Sequence, residues 1–588
     1  MSRPEFEEEI VASLREEFLK RQEERRPYEL QWRLNQSFLC GREAVLSARG
    51  ELEEEEGRYE WERRENFNNI APILDTRCAK LARVRPTMTV RSASGKEEDV
   101  YAAKLATKLL KSFSANADLP GKIAEATRWS ETLGTAFYRI KWNAGKGKRI
   151  AENLTEGDAE IEVLSAYEVY PFNLSEESLE RQPSVILARA VPVSEIFDRF
   201  GKEVEEENVQ SCAQDFRCES LKGHCLFLER FEKPTSERPE GRYTAVAGNL
   251  LLLDGSLPYA AGREGAFAYP FVKQVAVGLA GRFFGVSVIE RLIPVQRAYN
   301  AVKNRKYEFL NRIAAGVYAV EDGSVDTDDL EENGLRPGKI LLYRQGSRPP
   351  FVLDYSRVPA DFNYEEDRLQ NEFIRISGVS EITRNSQLPS GVSSGVALSI
   401  LVEQDETRLS VTAENIRAAV RELGGMAVRL YRQFAGETRL LHVNDEAGDL
   451  ECYYFKGSDL CADDVVFDTE NELLETPAQK KSYIFDLLSN GLFSGEDGRL
   501  SEYTRAKILD MLGFGSVENG QELASLHIKQ AGRENIRLLK ESAEVSEIDD
   551  HGIHIKEHTK YMLSNGLATS ERFVEHVRAH RLLSGVQK

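Results

Sequence analysis

Apolar residues recur at helical spacing through Phe6, Ile10, Leu14 and Phe18 inside a densely charged stretch that runs to Trp32, which predicts a long surface helix. The charged run from Glu51 to Glu65 repeats the theme, and both read as solvated faces or tails. From Asn68 the pattern changes to a short helix broken at Pro86, followed by an alternating strand up to Arg91. Helices are then expected over Val100–Ala115 and Gly121–Leu133, and strands over Thr135–Trp142, Ala159–Val169, Cys225–Phe231 and Tyr243–Leu253. Residues up to about 280 therefore read as a mixed α+β unit.

The strongest periodicity lies between Gly281 and Phe434. Ser287-Val-Ile-Glu290 fits a capping box, with Leu292, Val295, Val302, Leu310 and Ile313 marking the helix behind it, roughly 28 residues long. Pro294 falls in its first turns and Gly316 suits its C-terminal cap. A compact insert follows, with strands expected at Val317–Val320, Ile340–Tyr343 and Phe351–Tyr355 and an acidic loop between Glu321 and Glu332. A second helix is predicted over Asp361–Ser377, capped by Gly378, then an irregular polar segment from Glu381 to Gly395. Beyond it the helical pattern runs from Val396 to Phe434, with Leu409, Ile416, Val420, Leu423, Ala427, Leu430 and Phe434 as an apolar seam and Gly424-Gly425 as the expected bend. A strand at Glu451–Phe455 and an acidic linker around Asp463–Glu475 precede a helical C-terminal region of about 110 residues.

Composition narrows the function. Across 588 residues there are 77 Lys and Arg against 97 Asp and Glu, a formal charge of −20, so generic attraction to nucleic acid or anionic lipid is not expected. Any DNA contact must be local or weak. With 41% hydrophobic and 30% charged residues the chain is of the folded, soluble class. Its longest uncharged stretch, Asn385–Val402, is half Ser, Gly, Pro, Gln and Asn and cannot serve as a bilayer span. The acidic start, Met1-Ser-Arg-Pro-Glu, lacks a secretory core, and the seven cysteines are scattered, both of which suit a chain made in a cytoplasm.

Motifs that could carry chemistry lack their context. Gly391-Val-Ser393-Ser-Gly395 matches a nucleophile elbow, but the residues before it are polar and interrupted by Pro389, where an elbow needs an apolar strand. His551, His554 and His558 suggest a metal cluster, yet the outer two sit roughly 10 Å apart along a helix, and surface histidines are the expectation. Cys212, Cys218, His224 and Cys225 lack paired zinc-ligand spacing and read as buried thiols. Gly145-Lys-Gly-Lys148 is a hairpin turn rather than a phosphate loop. No catalytic residue, metal or cofactor is assigned, and the alternative from another class is a cytoplasmic serine hydrolase using Ser393.

Two helices flanking a small β insert, then a polar loop and a very long helix, form an order that resembles the portal proteins of tailed double-stranded DNA bacteriophages. Gly285-Val-Ser-Val-Ile-Glu-Arg-Leu-Ile-Pro-Val-Gln-Arg-Ala-Tyr-Asn300 resembles the entry to that family's first stem helix, and Ser390-Gly-Val-Ser-Ser-Gly-Val-Ala-Leu-Ser-Ile-Leu401 its tunnel loop running into the long wing helix. Asn68–Arg91 is similar to its N-terminal region. The likeness is most specific over Gly281–Phe434, weaker over the first 280 residues, and architectural alone in the C-terminal part.

The resemblance implies an α+β, mainly helical portal fold in a ring-shaped oligomer, commonly of twelve subunits, at one capsid vertex. In this chain residues 1–286 and 396–470 would form the wing, 287–315 and 359–378 the two stem helices, 316–358 the clip, 379–395 the tunnel loop and 471–588 the crown. Lys303, Arg305, Lys306, Arg312, Arg368 and Arg375 are the candidate basic groups of the channel, with pairing to Glu308, Glu366 and Glu372 between subunits the equal alternative. Arg384, Asn385, Gln387 and Ser390 would face DNA from the tunnel loop. Glu321, Asp322, Asp326, Asp328, Asp329, Glu331 and Glu332 would dock the packaging terminase and later the head-to-tail adaptor, unless they merely solubilise the loop. The implied role is nonenzymatic: nucleating procapsid assembly with major capsid and scaffolding proteins, and passing double-stranded DNA without sequence preference during packaging and ejection. The implied location is the virion's capsid vertex, with the host cytoplasm during assembly and no membrane.

Overall fold

The computed structural model describes residues 3–46, 52–54, 64–84, 87–92, 96–147, 149–151, 154–207, 221–260, 266–315, 317–326, 340–353, 361–379, 395–437, 439–444, 450–461, 463–467, 523–539, 541–564 and 569–585, with a few single positions between them. It is 51% helical with many short strands, in agreement with a mainly helical α+β chain. Two compact units share it: one of Met1–Glu29, Arg77–Ser287 and Gly391–Lys588, the other of Leu30–Thr76 and Val288–Ser390.

The first unit contains a five-stranded antiparallel sheet built from Val169–Pro171, Ser184–Pro192, His224–Glu232, Arg242–Ala247 and Leu250–Gly255, neighbours in that order. Side chains alternate across it. Leu228, Ile186 and Val246 meet Val11, Leu14 and Phe18 of helix α1 (Arg3–Leu39), while Cys225, Phe227 and Ala245 meet Ile196 of a short helix, Val193–Phe200. Tyr243–Leu253, expected as one strand, is a hairpin that turns at Gly248, whose φ of +55° only glycine adopts freely. The strand expected over Ala159–Val169 ends at Ser165, where a capped turn over Ala166–Glu168 leads into the next sheet.

Helix α1 is not simply a surface helix. Arg25 is fully buried, its guanidinium 3.4 Å over the Tyr170 ring and donating to the carbonyls of Ala166, Tyr167 and Val169 at 3.0, 2.8 and 2.7 Å. Arg21 donates to the Tyr170 carbonyl at 2.9 Å and to Ser184 Oγ at 2.5 Å. A planar five-donor group satisfies several strand-end carbonyls at once, which is why charged positions here face inward. The second charged run also departs from expectation: Leu52–Glu54 is a strand paired with Ala44–Leu46, and residues 55–63 lie outside the described set.

The main core joins distant parts of the chain. Helices Glu97–Asn116 and Leu119–Leu133 pack with the antiparallel strands Phe271–Val275, Thr135–Asn143 and Asp158–Ser165. The long helix, Gly395–Phe434, closes that core with Leu409, Ala413, Ile416, Val420, Leu423, Ala427 and Leu430, all buried. It runs unbroken through Gly424-Gly425, where a bend was expected. A Cβ on Gly424 would come within 2.8 Å of Met88 Sδ, so the glycine serves close approach to the strand pair Met88–Arg91 and Asp464–Phe467.

Three C-terminal helices, Leu523–Leu538, His551–Ser564 and Glu571–Leu583, pack through Leu538, Leu539, Met562, Leu567, Phe573 and Val577. Here the expectation of surface histidines fails: His554 and His558 have no exposed surface. The helix turns its i, i+4 pair inward, and the spacing of its outer histidines was the wrong test. Cys225 is buried as expected; Cys212 and Cys218 lie outside the described residues.

One buried ion pair ties the three-stranded sheet of the first unit to its five-stranded sheet. Arg139 donates to both oxygens of Glu229 at 2.7 Å, and Arg189 and Tyr243 Oη add bonds at 3.2 and 2.7 Å. Burial alone would raise the Glu229 carboxyl, but the Arg139 charge and its hydrogen bonds outweigh it and hold the pKa at about 2 against an ordinary 4.5. The stabilisation is therefore present above the ordinary carboxylate range and lost as pH falls through about 2. Glu229→Gln should cost about 3–5 kcal/mol at neutral pH, because Arg139 is left buried without its counter-charge. The double change Arg139→Met with Glu229→Leu should cost less, and the gap between Glu229→Gln and the unmodified protein should shrink in acid, as read by urea denaturation against pH.

Candidate functional site: a paired-helix unit with an exposed apolar insert

The second unit is organised by two helices, Val288–Ala315 and Asp361–Ser377. The first has the expected length, 28 residues, and contains Pro294 without interruption. The second keeps its expected bounds and ends at Gly378, whose φ of +70° and bond to the Ile374 carbonyl at 3.0 Å mark a left-handed cap. Tyr299 meets Phe373 edge-on at 5.9 Å, Lys303 and Lys306 reach Glu366 at 3.1 and 2.9 Å, and Phe309 meets Phe362 at 6.2 Å. Numbers rise on one helix as they fall on the other, so the pair is antiparallel.

Three amides on the first helix grip an extended segment of residues 64–69. Asn304 Oδ1 accepts from Glu65 N at 3.1 Å, Asn300 Oδ1 from Phe67 N at 3.1 Å, and Gln296 Oε1 from Asn69 N at 3.0 Å. In return Asn304 donates to the Glu65 carbonyl at 3.0 Å and Gln296 to the Phe67 carbonyl at 2.8 Å. The spacing is commensurate: four helical residues advance about 6 Å and two extended residues about 6.6 Å. A helix face thus supplies what a neighbouring strand would supply. Asn300 is almost fully buried and also donates to Asn66 Oδ1 at 2.9 Å. Asn68 then accepts from Ile70 N and Ala71 N at 3.0 and 3.1 Å, capping helix Ile70–Leu81, and donates to the Leu39 carbonyl at the end of α1.

The expected basic groups divide by environment. Burial acts to lower the Lys303 pKa, but hydrogen bonds to Tyr299 and Glu366 and their charges leave it raised. Burial likewise acts to raise Glu366, and the bonds and charges of the two lysines leave it lowered. Lys303 and Lys306 are thus paired within one chain. Arg368 reaches Glu365 of its own helix at 3.4 Å in an exposed geometry, a contact of little energy. Arg305 and Arg375 are exposed, and the Arg312 side chain lies outside the described set.

Between the helices, Val317–Ala319 pairs with Phe351–Leu353. Ile340–Tyr343, expected as a third strand, has no ladder; Ile340 and Leu342 are 83% and 84% exposed, and Phe351 is 56% exposed. An apolar run with no partner strand among the described residues leaves its backbone and side chains exposed there. Glu321, Asp322, Asp326 and Asp328 are exposed, with Glu321 accepting from Arg348 N at 3.2 Å and Asp326 from Asp328 N at 3.2 Å. Asp329, Glu331 and Glu332, the loop residues Arg384, Asn385, Gln387 and Ser390, and Ser393 lie outside the described residues.

The amide ladder was missed in sequence, although Gln296, Asn300 and Asn304 fall at i, i+4 and i+8 on one helix face. Apolar periodicity does not register such a stripe, because it is polar.

Among known families, residues 220–471 match the one described as phage P22-like portal protein. The matched segment includes both paired helices, the insert between them and the whole long helix. No curated protein matches the chain.

Asn300→Leu should destabilise the second unit by about 1–3 kcal/mol, because the Phe67 amide loses its acceptor in a buried place. Asn304→Ala, at the wet end of the ladder, should cost under about 1 kcal/mol. Hydrogen exchange read by mass spectrometry should show the Phe67 amide losing protection in the first variant and keeping it in the second.

Proposed function

We propose that this chain, whose residues 220–471 match the family described as phage P22-like portal protein, is a structural portal subunit that assembles into a ring at one capsid vertex and conducts double-stranded DNA. The family match carries the reading, because it spans the segments that would make the conduit: paired helices as stem, insert as clip, long helix as part of the wing. The C-terminal helices would form the crown. The subunit nucleates procapsid assembly with scaffolding and major capsid proteins, docks the terminase whose ATP hydrolysis drives packaging, and later receives the head-to-tail adaptor.

The chain's surface suits closure into a ring. Ile340, Leu342 and Phe351 of the insert and Tyr364 of the second helix are 83%, 84%, 56% and 73% exposed, an apolar display more typical of a subunit contact than of free surface. A heterologous contact of this kind makes a closed ring when its rotation closes.

Charge suits passage. The chain carries −20, so phosphate is repelled by most of the wall, and sparse cations centre the duplex without retaining it. Lys303 and Lys306 are the weaker candidates for that task, being tied to Glu366, and exposed Arg305 and Arg375 are the stronger.

Native mass spectrometry of the purified protein should show a species of about 800 kDa, twelve times 66.4 kDa, or a neighbouring ring count. Leu342→Glu should shift that distribution toward monomer. A chain that stays monomeric alone and in the presence of scaffolding protein would overturn the ring. Charge reversal at the clip, Asp326→Lys with Asp328→Lys, should leave rings intact while lowering terminase-dependent packaging; unchanged packaging and tail joining would remove the docking role from these residues.

A further inference from the structure

Six of the eight histidines lie between positions 527 and 580, on the three C-terminal helices. Four of them crowd one carboxylate oxygen. Glu534 Oε2 is 3.0 Å from His554 Nδ1, 3.4 Å from His558 Nε2, 3.4 Å from His576 Nε2 and 4.0 Å from His580 Nε2. A carboxylate oxygen offers two lone pairs, too few to accept from four rings.

The outer nitrogens decide where the protons sit. His576 Nδ1 lies 3.0 Å from the Ala543 carbonyl and His558 Nδ1 lies 2.7 Å from Asn535 Oδ1. Both partners are acceptors, so each ring is protonated at Nδ1 and in its neutral form turns an Nε2 lone pair toward Glu534. Lone pairs facing a carboxylate repel unless a positive charge lies between them. His580 Nε2 is a further 3.2 Å from His576 Nε2. The Nε2 atoms of His554 and His558 are buried with no hydrogen-bond partner among the described residues. Neutral imidazole supplies no such charge.

A metal ion supplies it. Bonds of about 2.0–2.1 Å to one tetrahedral ion place the ligand atoms about 3.3–3.4 Å apart, close to the spacings around Glu534. The ligand atoms of Glu534, His554, His558 and His580 all fall within 4.8 Å of one another. Nδ1–H donated to a carbonyl and Nε2 turned inward is the arrangement of metal-bound histidine with its outer support. Imidazole with one carboxylate suits zinc and its neighbours. The nearby group of His527, Asp549 and His554 is weaker: His527 accepts from the Asp550 amide at Nδ1 and so carries its proton on Nε2.

We propose that Glu534, His558 and His580, completed by His554 and His576, bind a divalent ion of the zinc class that staples the three C-terminal helices together. The ligands come from all three helices, and the apolar contact among these is small, so binding adds directly to the stability of the trio. All five residues are at least nine-tenths buried, which suits a closed structural site rather than an open catalytic one. Asn535 is a positioning residue for His558. The site does not depend on the portal reading.

The test uses the full-length protein purified without a metal column. Elemental analysis should find about one zinc per chain, and chelation should lower the melting temperature with recovery on adding zinc. Cobalt(II) added to the chelated protein should give the intense visible bands of a four- or five-coordinate imidazole site, a readout that needs no variant. His558→Ala with His580→Ala should reduce metal content at least tenfold, and Asn535→Leu should weaken affinity by about 10–100-fold. His224→Ala, outside the cluster, should change neither. Absence of zinc together with no cobalt spectrum, or metal uptake unchanged by the double substitution, would overturn the proposal. Loss of ring assembly with these metal readouts intact would count against the portal reading alone.

Discussion

The first unit depends on the burial of one face of the long helix. Residues 81–164 supply most of a core but leave it open until Leu409, Ile416, Val420, Leu423 and Leu430 arrive after the chain has passed through the whole second unit. At about 1.5–3 kcal/mol for each large side chain, that seam is a large apolar contribution to the unit. Contacts of such sequence separation form late and cooperatively, because closing the intervening loop costs entropy before the core rewards it. The same helix anchors the sheet edge through Thr412 Oγ1 to the Ala276 carbonyl at 3.2 Å and Asn415 Nδ2 to the Val275 carbonyl at 3.0 Å. Apolar burial supplies the energy, and these two bonds fix the height at which the helix sits.

An acidic chain that buries arginines follows the same division of labour. Arg77 pairs with Glu131 at 2.7 Å, Arg139 and Arg189 share Glu229, and Arg25 is satisfied chiefly by backbone carbonyls. Desolvating such pairs offsets most of their attraction, so they add little net stability compared with apolar residues of equal volume. What they add is discrimination. A slipped strand or a helix turned by one residue leaves a buried charge without its partner, an error costing several kcal/mol.

Much of the second unit was legible in the sequence because its helices are amphipathic and punctuated. Ser287 precedes the first helix and Gly378 follows the second; in the first unit the long helix likewise begins one residue from its expected start. What escaped were features whose signal is polar or lies in a partner strand. In the strand Ser184–Pro192 the first five residues are buried on both sides and show no alternation, while Gly248-Asn249 is a two-residue turn hidden in an apolar run. The histidines were legible in part: His554 and His558, and again His576 and His580, stand four residues apart, the spacing that places two ligands on one helix face. Weighing His551 against His558 instead tests a pair seven residues apart, which says nothing about His554 with His558.

The amide ladder shows what polar contacts do that apolar ones of equal area cannot. Packing between smooth apolar surfaces tolerates sliding by a fraction of a residue, since the area buried changes little. Gln296, Asn300 and Asn304 tolerate none: a shift of one residue in 65–69 would exchange every paired amide for a side chain and strand three backbone donors at once. The second unit is assembled from two chain segments, Leu30–Thr76 and Val288–Ser390, and within it the ladder sets their register. In the ring proposed above, each copy would have to present the same surface for the contact to close. Register fixed by paired amides meets that demand more strictly than apolar area can.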